Sequence, residues 1–261
     1  QSVVEEECTG NGALACLQRG YRAEAALIPE PMYNKLIRAQ VGVMWFQVRV
    51  RGLPVYVAHA GTGANAIEAA FPLMQALHQL TERWNAERSQ HPHFGEIDHP
   101  INMNVGKIAG GDWASSVPAW CDFDVRIAVY PGQDMADARR QIEDCIRTAA
   151  RADKFLANSP PEIVYNGFQA EGYVLSGAEA PEAALDAAHW RVFDQPMQRV
   201  ASTGTTDARL FGLYADIPAL VYGPVSRNIH GFDERVELDS LRRITQSMAL
   251  FIADWCGLEA R

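Results

Sequence analysis

Between residues 41 and 168 the apolar positions switch repeatedly between a period of two and a helical period. "MWFQVRVRG" alternates, with Met44, Phe46, Val48 and Val50 on one face and Gln47, Arg49 and Arg51 on the other, the pattern of a half-buried strand. "NAIEAAFPLMQALHQLTERW" then carries Ile67, Ala70, Met74, Leu77, Leu80 and Trp84 at helical spacing. Asn65 stands where it can cap this helix, with Glu68 in the first turn, and Pro72 is expected to kink it. "INMNVGKI" and "CDFDVRIAV" alternate again. The second has Cys121, Phe123, Val125, Ile127 and Val129 on one face, and Asp122, Asp124 and Arg126 on the other. "DMADARRQIEDCIRTAA" is an amphipathic helix with Met135, Ala138, Ile142, Cys145 and Ala149 as its expected buried stripe, and "PPEIVYNG" supplies a fourth strand. The order β-α-β-β-α-β is the ferredoxin-like arrangement, two helices on one face of a four-stranded antiparallel sheet.

The flanks follow a different plan. Val3 and Val4 read as the end of a strand, followed by a helix around "GALACLQRG" and a short apolar strand, "AALI", that stops at "PEP". Beyond the ferredoxin-like stretch come a helix at "PEAALDAAHW", a turn at "STGTTDARLF", a strand "IPALVYGP" and a final helix, "SLRRITQSMALFIADW". Strands alternating with helices predict an α/β layer built on a mostly parallel sheet. The expected fold is therefore α/β, an incomplete mostly parallel sheet with helices interrupted by an inserted ferredoxin-like domain. Its expected segments are 1–40 and 169–261 for the α/β domain and 41–168 for the insert.

Composition narrows the function. Hydrophobic residues at 48% and charged residues at 21% belong to an ordinary globular chain with a substantial core. A net charge of −9 argues against nucleic acid and anionic membranes as partners, because both require a basic face. No apolar run approaches membrane-spanning length and no signal peptide opens the chain. Cys8, Cys16, Cys121, Cys145 and Cys256 are scattered without CxxC spacing, which predicts reduced thiols and a cytoplasmic location.

Ligands of α/β sheets gather at the carboxyl ends of strands. Three features fall at such predicted ends: the carboxylate run Glu5, Glu6 and Glu7, then Glu30, and the "GPVSRNIH" loop with His230. Glu7, Glu30 and His230 together make a hard-to-borderline donor set suited to zinc, manganese or cobalt. Singly, each has a plainer reading: a solvated acidic run, a turn carboxylate between Pro29 and Pro31, and a surface-loop histidine.

Six stretches in order turn this into a resemblance: "VVEEECTGNGA", "ALIPEP", "GTGANAI", "VPAWCDFDVR", "STGTTDARLF" and "VYGPVSRNIHGFDERVELDSL". Together they resemble the M20 metallopeptidase family, the group of acetylornithine deacetylase, succinyl-diaminopimelate desuccinylase, aminoacylase and glutamate carboxypeptidase. The resemblance covers nearly the whole chain, and the ferredoxin-like insert matches the family's lid, or dimerisation, domain. It implies a homodimer and two divalent metal ions, zinc first, with cobalt or manganese as alternatives. The implied reaction removes an acyl group from a small N-acyl amino acid, with aminoacylase or carboxypeptidase activity as rivals. A noncatalytic dimerisation or binding protein is the rival from another class. With the family's glycine set at Gly12, the resemblance makes Glu6 the general base and Glu7, Glu30 and His230 metal ligands, and leaves Glu5 a structural role. It further implies Arg126, Thr205, Asp207, Arg209 and Asn65 as substrate contacts. Arg126 has pairing with Asp122 or Asp124 as its alternative, and Asn65 has helix capping.

Two departures accompany the match. Counting from Gly52, the family's lid histidine position holds Tyr56, and His59 is the nearest substitute. The family's His-x-Asp motif, which precedes the paired acids, does not occur in the chain. The chain is accordingly expected to correspond to the C-terminal part of such an enzyme, to bind metal weakly and to be inactive alone.

Overall fold

The computed structural model describes residues 1–259. The chain divides into two compact units, one made of Gln1–Gln40 with Tyr173–Arg261 and the other of Val41–Gly172.

The second unit contains β3 (Gly42–Arg51), α2 (Ala66–Ala86), β4 (Met103–Gly110), β5 (Trp120–Val129), α3 (Met135–Ala152), β6 (Glu162–Val164) and β7 (Gln169–Ala170), its place in the chain falling after α1 (Asn11–Gln18), β1 (Ala26–Ile28) and β2 (Leu36–Gln40) of the first. Its strands pair antiparallel in the order β4-β5-β3-β6, with β7 added to β3. This is the ferredoxin-like order. The alternation read from the sequence holds: Met44, Phe46, Val48 and Val50 are buried against Cys121, Phe123, Val125 and Ile127. The opposite face is a polar ladder, in which Arg51 meets Asp122 at 2.5 Å and Gln47 donates to Asp124 at 2.8 Å. A bulge at Gly106 shifts the β4–β5 register between Val105 and Lys107.

Both helices of this unit depart slightly from expectation. α2 begins at the expected cap, where Asn65 Oδ1 accepts from the N–H groups of Ile67 and Glu68 at 3.0 and 3.2 Å. It continues through Pro72 without ending, because Pro72 lies on the exposed side and the apolar stripe beneath it is unbroken. That stripe buries Ala66, Ala70, Leu73, Leu77, Leu80 and Trp84, so Leu73 takes the inward place expected of Met74. In α3 the buried residues are Ala138, Ile142, Ile146 and Ala150, while Met135, Cys145 and Ala149 are only half-buried. Spacings of three and four both satisfy a 3.6-residue period, and packing against α2 selects one of them.

The first unit is completed by β8 (Tyr173–Val174), α4 (Glu179–Phe193), β9 (Arg199–Ser202), α5 (Ala208–Ala215), β10 (Ala219–Tyr222), β11 (Ser226–Arg227), β12 (Arg235–Val236) and α6 (Leu238–Cys256). Its main sheet runs β1-β10-β2-β8, with β9 also on β2. The sheet is mixed: β1–β10 and β2–β9 are parallel, β10–β2 and β2–β8 antiparallel. Val3 and Val4, expected to end a strand, belong to none, since no described segment pairs with them. Leu36, Leu185, Leu220, Tyr222, Ile244 and Phe251 lie in the core over which α4 and α6 pack together. A smaller core of Ala13, Leu17, Leu210 and Ile217 joins α1 to α5. Beside these cores, Glu182 on α4 receives Arg38 of β2 and, at 2.6 Å, Arg199 of β9.

No helix among the described residues is long and apolar enough to cross a membrane. All five cysteines are free.

Candidate functional site

The three leading carboxylates have separate environments, decided by the turn they sit in. Glu5 adopts a left-handed backbone (φ 63°), and its carbonyl accepts from the N–H groups of Thr9 and Gly10 at 3.0 and 2.9 Å. Its carboxylate accepts from Thr9 Oγ1 at 2.9 Å and Asn11 Nδ2 at 3.1 Å. Glu5 is thus the internal staple of the turn. Gly12 is required for a related reason: a Cβ there would lie 2.4 Å from the Val4 carbonyl oxygen. The turn is in turn held by α5, where Arg209, only 4% exposed, donates to the Thr9 carbonyl at 2.9 Å.

Glu30 follows β1, and the neighbouring β10 leads into the loop that ends at His230. The two strand ends approach closely, since a Cβ on Gly223 would stand 1.9 Å from the Glu30 carbonyl oxygen. Tyr33 and Asn34 donate their N–H groups to the carbonyls of Pro224 and Gly223 at 3.1 and 2.9 Å. Ser240 of α6 completes the tie, donating to Asn34 Oδ1 at 2.7 Å and accepting from the Val225 N–H at 2.8 Å. Beyond it the short β11–β12 hairpin carries His230 at its tip, in a left-handed conformation (φ 59°) shared with Asn228 and Asp233.

These elements bring Glu6, Glu7, Glu30, Asp207 and His230 into one neighbourhood of the first unit. Glu7 Oε2 and His230 Nε2 are 3.1 Å apart, both side chains exposed. Glu6 is half-buried and hydrogen-bonded to Glu30. Burial first, then the charges of Glu30, Asp207 and Glu7, push its carboxyl up to about 7. Burial and the charges of Glu7 and Asp207 also raise Glu30, while the hydrogen bond from Glu6 works the other way. Asp207 is raised by burial, with Arg209 opposing. Glu6, Glu30 and Asp207 line a cavity of 390 Å³ whose wall is otherwise largely apolar, including Ala26, Leu27 and Phe211. Among the described residues, no three His, Cys, Asp or Glu side chains stand close enough to hold a metal ion as they are placed. The donors instead form two adjacent pairs, Glu7 with His230 and Glu6 with Glu30. Carboxylates and an imidazole nevertheless fit a divalent cation in kind, and so does the excess of negative charge that raises these carboxyls.

The remaining sequence-derived candidates lie as follows. Thr205 belongs to the turn before α5, which is clamped by Gln40: Thr206 Oγ1 donates to Gln40 Oε1 at 2.7 Å and Gln40 Nε2 to the Thr206 carbonyl at 3.0 Å. Asp207 and Arg209 are both buried in the first unit. In the second unit, His59 and Tyr56 are exposed and contact one another edge to face in the segment between β3 and α2. Arg126 on β5 donates to the Asn102 carbonyl at 3.3 Å, and burial lowers its guanidinium. Asp122 and Asp124, its alternative partners, are engaged by Arg51 and Gln47. Asn65 caps α2. The sequence reading missed the Gln40–Thr206 clamp and the company Asp207 keeps. Neither has a local signature, since each joins segments more than 160 residues apart.

A model of the peptidase dimerisation domain matches residues 38–154. N-formyl-4-amino-5-aminomethyl-2-methylpyrimidine deformylase of Halalkalibacterium halodurans is 27% identical over 99% of this chain and 64% of its own length. Acetylornithine deacetylase of Myxococcus xanthus is 26% identical over 97% of this chain and 64% of its own. The chain therefore spans just under two thirds of these relatives. Among solved structures, the dipeptidase Dug1p of Saccharomyces cerevisiae superposes with a TM-score of 0.72 at 13% identity, over 95% of this chain and 63% of that one. Aminopeptidase PepT of Bacillus cereus gives 0.67 at 16%, over 97% and 63%. An α/β unit interrupted in sequence by a ferredoxin-like module is the fold this chain shares with these solved structures. Residues 38–154 carry the M20 peptidase dimerisation domain, and the relatives over the rest of the chain support membership of the M20 family.

Proposed function

We propose that the chain serves a metal-dependent amide hydrolase that removes a small acyl group from an N-acyl amine or amino acid. The observation that carries this reading is the pairing of a half-buried carboxyl raised to about 7, Glu6, with an adjacent carboxylate–imidazole pair, Glu7 and His230. The relatives over nearly the whole chain, a deformylase and a deacetylase, support small acyl groups in particular.

Glu7, Glu30 and His230 would hold divalent metal, zinc first. When bound, such an ion polarises the amide carbonyl and activates water. The chain's own part is proton transfer. Glu6 takes a proton from water as the new C–O bond forms, and delivers it to the amine nitrogen as the C–N bond breaks. Burial, the largest cause of its raised pKa, favours a Glu6 carboxyl that can take up the proton and hand it on. His59 and Arg126, in the second unit, are the proposed oxyanion donor and substrate-carboxylate ligand. Arg126 suits that role because its guanidinium can make a bidentate contact.

The dimerisation-domain match and the free edge of β4 support a homodimer formed through the second unit.

The test is a pair of isosteric substitutions in the complete protein, assayed on N-formyl and N-acetyl amines and amino acids. Glu6→Gln should keep the metal content and lose activity by on the order of 10²–10⁴-fold. Glu7→Gln should lower metal occupancy and recover in part with added zinc. Loss of metal from Glu6→Gln with retention in Glu7→Gln would reverse the assignment of base and ligand. Full activity in Glu6→Gln would end the hydrolase reading.

A further inference from the structure

Asp207 stands at the N-cap of α5, a place where an aspartate ordinarily accepts a hydrogen bond from the first turn. Its side chain makes no such bond. The residue is 5% exposed, and its Oδ2 is buried without a hydrogen-bond partner among the described residues. A carboxylate oxygen in that state is costly, and native proteins retain such groups mainly where a ligand, ion or catalytic task uses them. Charge nearby relieves the cost only in part. Arg209 lowers it, one guanidinium nitrogen also donating to the Thr9 carbonyl, while the other acids that line the cavity with Asp207 are Glu6 and Glu30. The fold also reserves the space. Asp207 Oδ1 lies 2.4 Å from where a Cβ on Gly10 would be, so only glycine at position 10 admits the carboxylate beside the Glu5–Gly10 turn.

We propose that Asp207 is a further acidic member of the divalent-cation site around Glu7, Glu30 and His230, kept from capping its own helix so that the shell of the bound ion satisfies it. This rests on the metal-dependent reading above, and gives Asp207 a role distinct from contact with substrate. A helix-capping or purely structural aspartate would stabilise the metal-free fold. A cation-site aspartate among carboxylates should not.

Cobalt(II) and zinc(II) titrations of the complete protein and of its Asp207→Asn and Glu30→Gln variants, followed by calorimetry and by cobalt absorption, separate these roles. Asp207→Asn is expected to weaken metal binding by about 10–100-fold, the range for groups that support a metal from outside its direct ligands. Its metal-free melting temperature should be equal to or above that of the unsubstituted chain. Asp207→Ser, which removes the carboxylate and much of its volume, should lose affinity likewise and guards against an effect peculiar to the amide. Saturable binding that Glu30→Gln abolishes and both Asp207 variants leave intact overturns the role of Asp207 alone. Absence of saturable binding to the unsubstituted complete protein overturns the metal reading together with this inference. A fall in metal-free stability of both Asp207 variants with unchanged affinity assigns the residue to structure, and is equally fatal.

Discussion

His189 shows what a single buried side chain does to the whole protein. It is 2% exposed on α4, its Nδ1 is 2.7 Å from the Tyr222 hydroxyl, and its ring stacks on Phe193. Burial lowers its pKa, with Asp186 opposing. In the unfolded chain a histidine takes up a proton near pH 6.5, whereas the folded protein resists doing so. The unfolded state therefore binds more protons as the solution acidifies. The stability owed to neutral His189 is complete above about pH 6.5 and is lost as the pH falls from there towards the depressed folded value. Glu6, Glu30 and Asp207, raised by burial, shift stability in the opposite sense, and they do so equally in a His189 variant. His189→Gln should consequently lose less stability than the unsubstituted protein between pH 7.5 and pH 5.5. Urea midpoints at the two pH values measure this difference, and identical shifts in both proteins would show that His189 is not the group concerned.

At the scale of elements, the start of α2 joins a structural role to a proposed functional one. Asn65 satisfies two N–H groups that the helix leaves without internal partners. Asn65→Ala should cost about 1 kcal/mol of stability in the second unit, and Asn65→Asp, which also caps, should cost little. Asn65 is also a proposed substrate contact, and Asn65→Asp tests that separately. An increase in KM with an unchanged melting temperature supports contact with substrate, whereas unchanged kinetics leave capping as its whole function. The same helix shows why Pro72 is tolerated. Its side chain is exposed, while Ala70, Leu73 and Leu77 around it remain buried on the inward face.

For the whole molecule, the second unit's sheet bears on assembly. Among the described residues β4 pairs with β5 on one side only, and Ile108 on it is exposed. A free edge with an apolar side chain favours pairing with another strand, and the single lysine there, Lys107, gives little protection. The proposed homodimer should appear in sedimentation at protein concentrations on the order of 10 µM, above the dissociation constant of a modest interface. Ile108→Lys should shift the protein to monomer without unfolding it. A monomer in the unsubstituted protein under those conditions would contradict the proposal.

What could be read from the sequence was whatever repeats locally. Alternation in β3 and β5 named their buried faces because a strand's period of two leaves one choice of face. In α3, spacings of three and four both satisfied the pattern, and packing against α2 chose Ile146 and Ala150 over Cys145 and Ala149. β2, β8 and β9 escaped notice because short strands gain their identity from the partners they meet. The candidate acids Glu6, Glu7 and Glu30 were legible as residue types in order along the chain. Their separate environments were not. The close approach of Gly223 to Glu30 and the burial of Asp207 beside Glu6 and Glu30 join segments far apart in the chain. A carboxylate's environment is a sum over its neighbours in space, so only the tertiary structure decided which of these acids is exposed, which is held near neutrality and which is left without a partner.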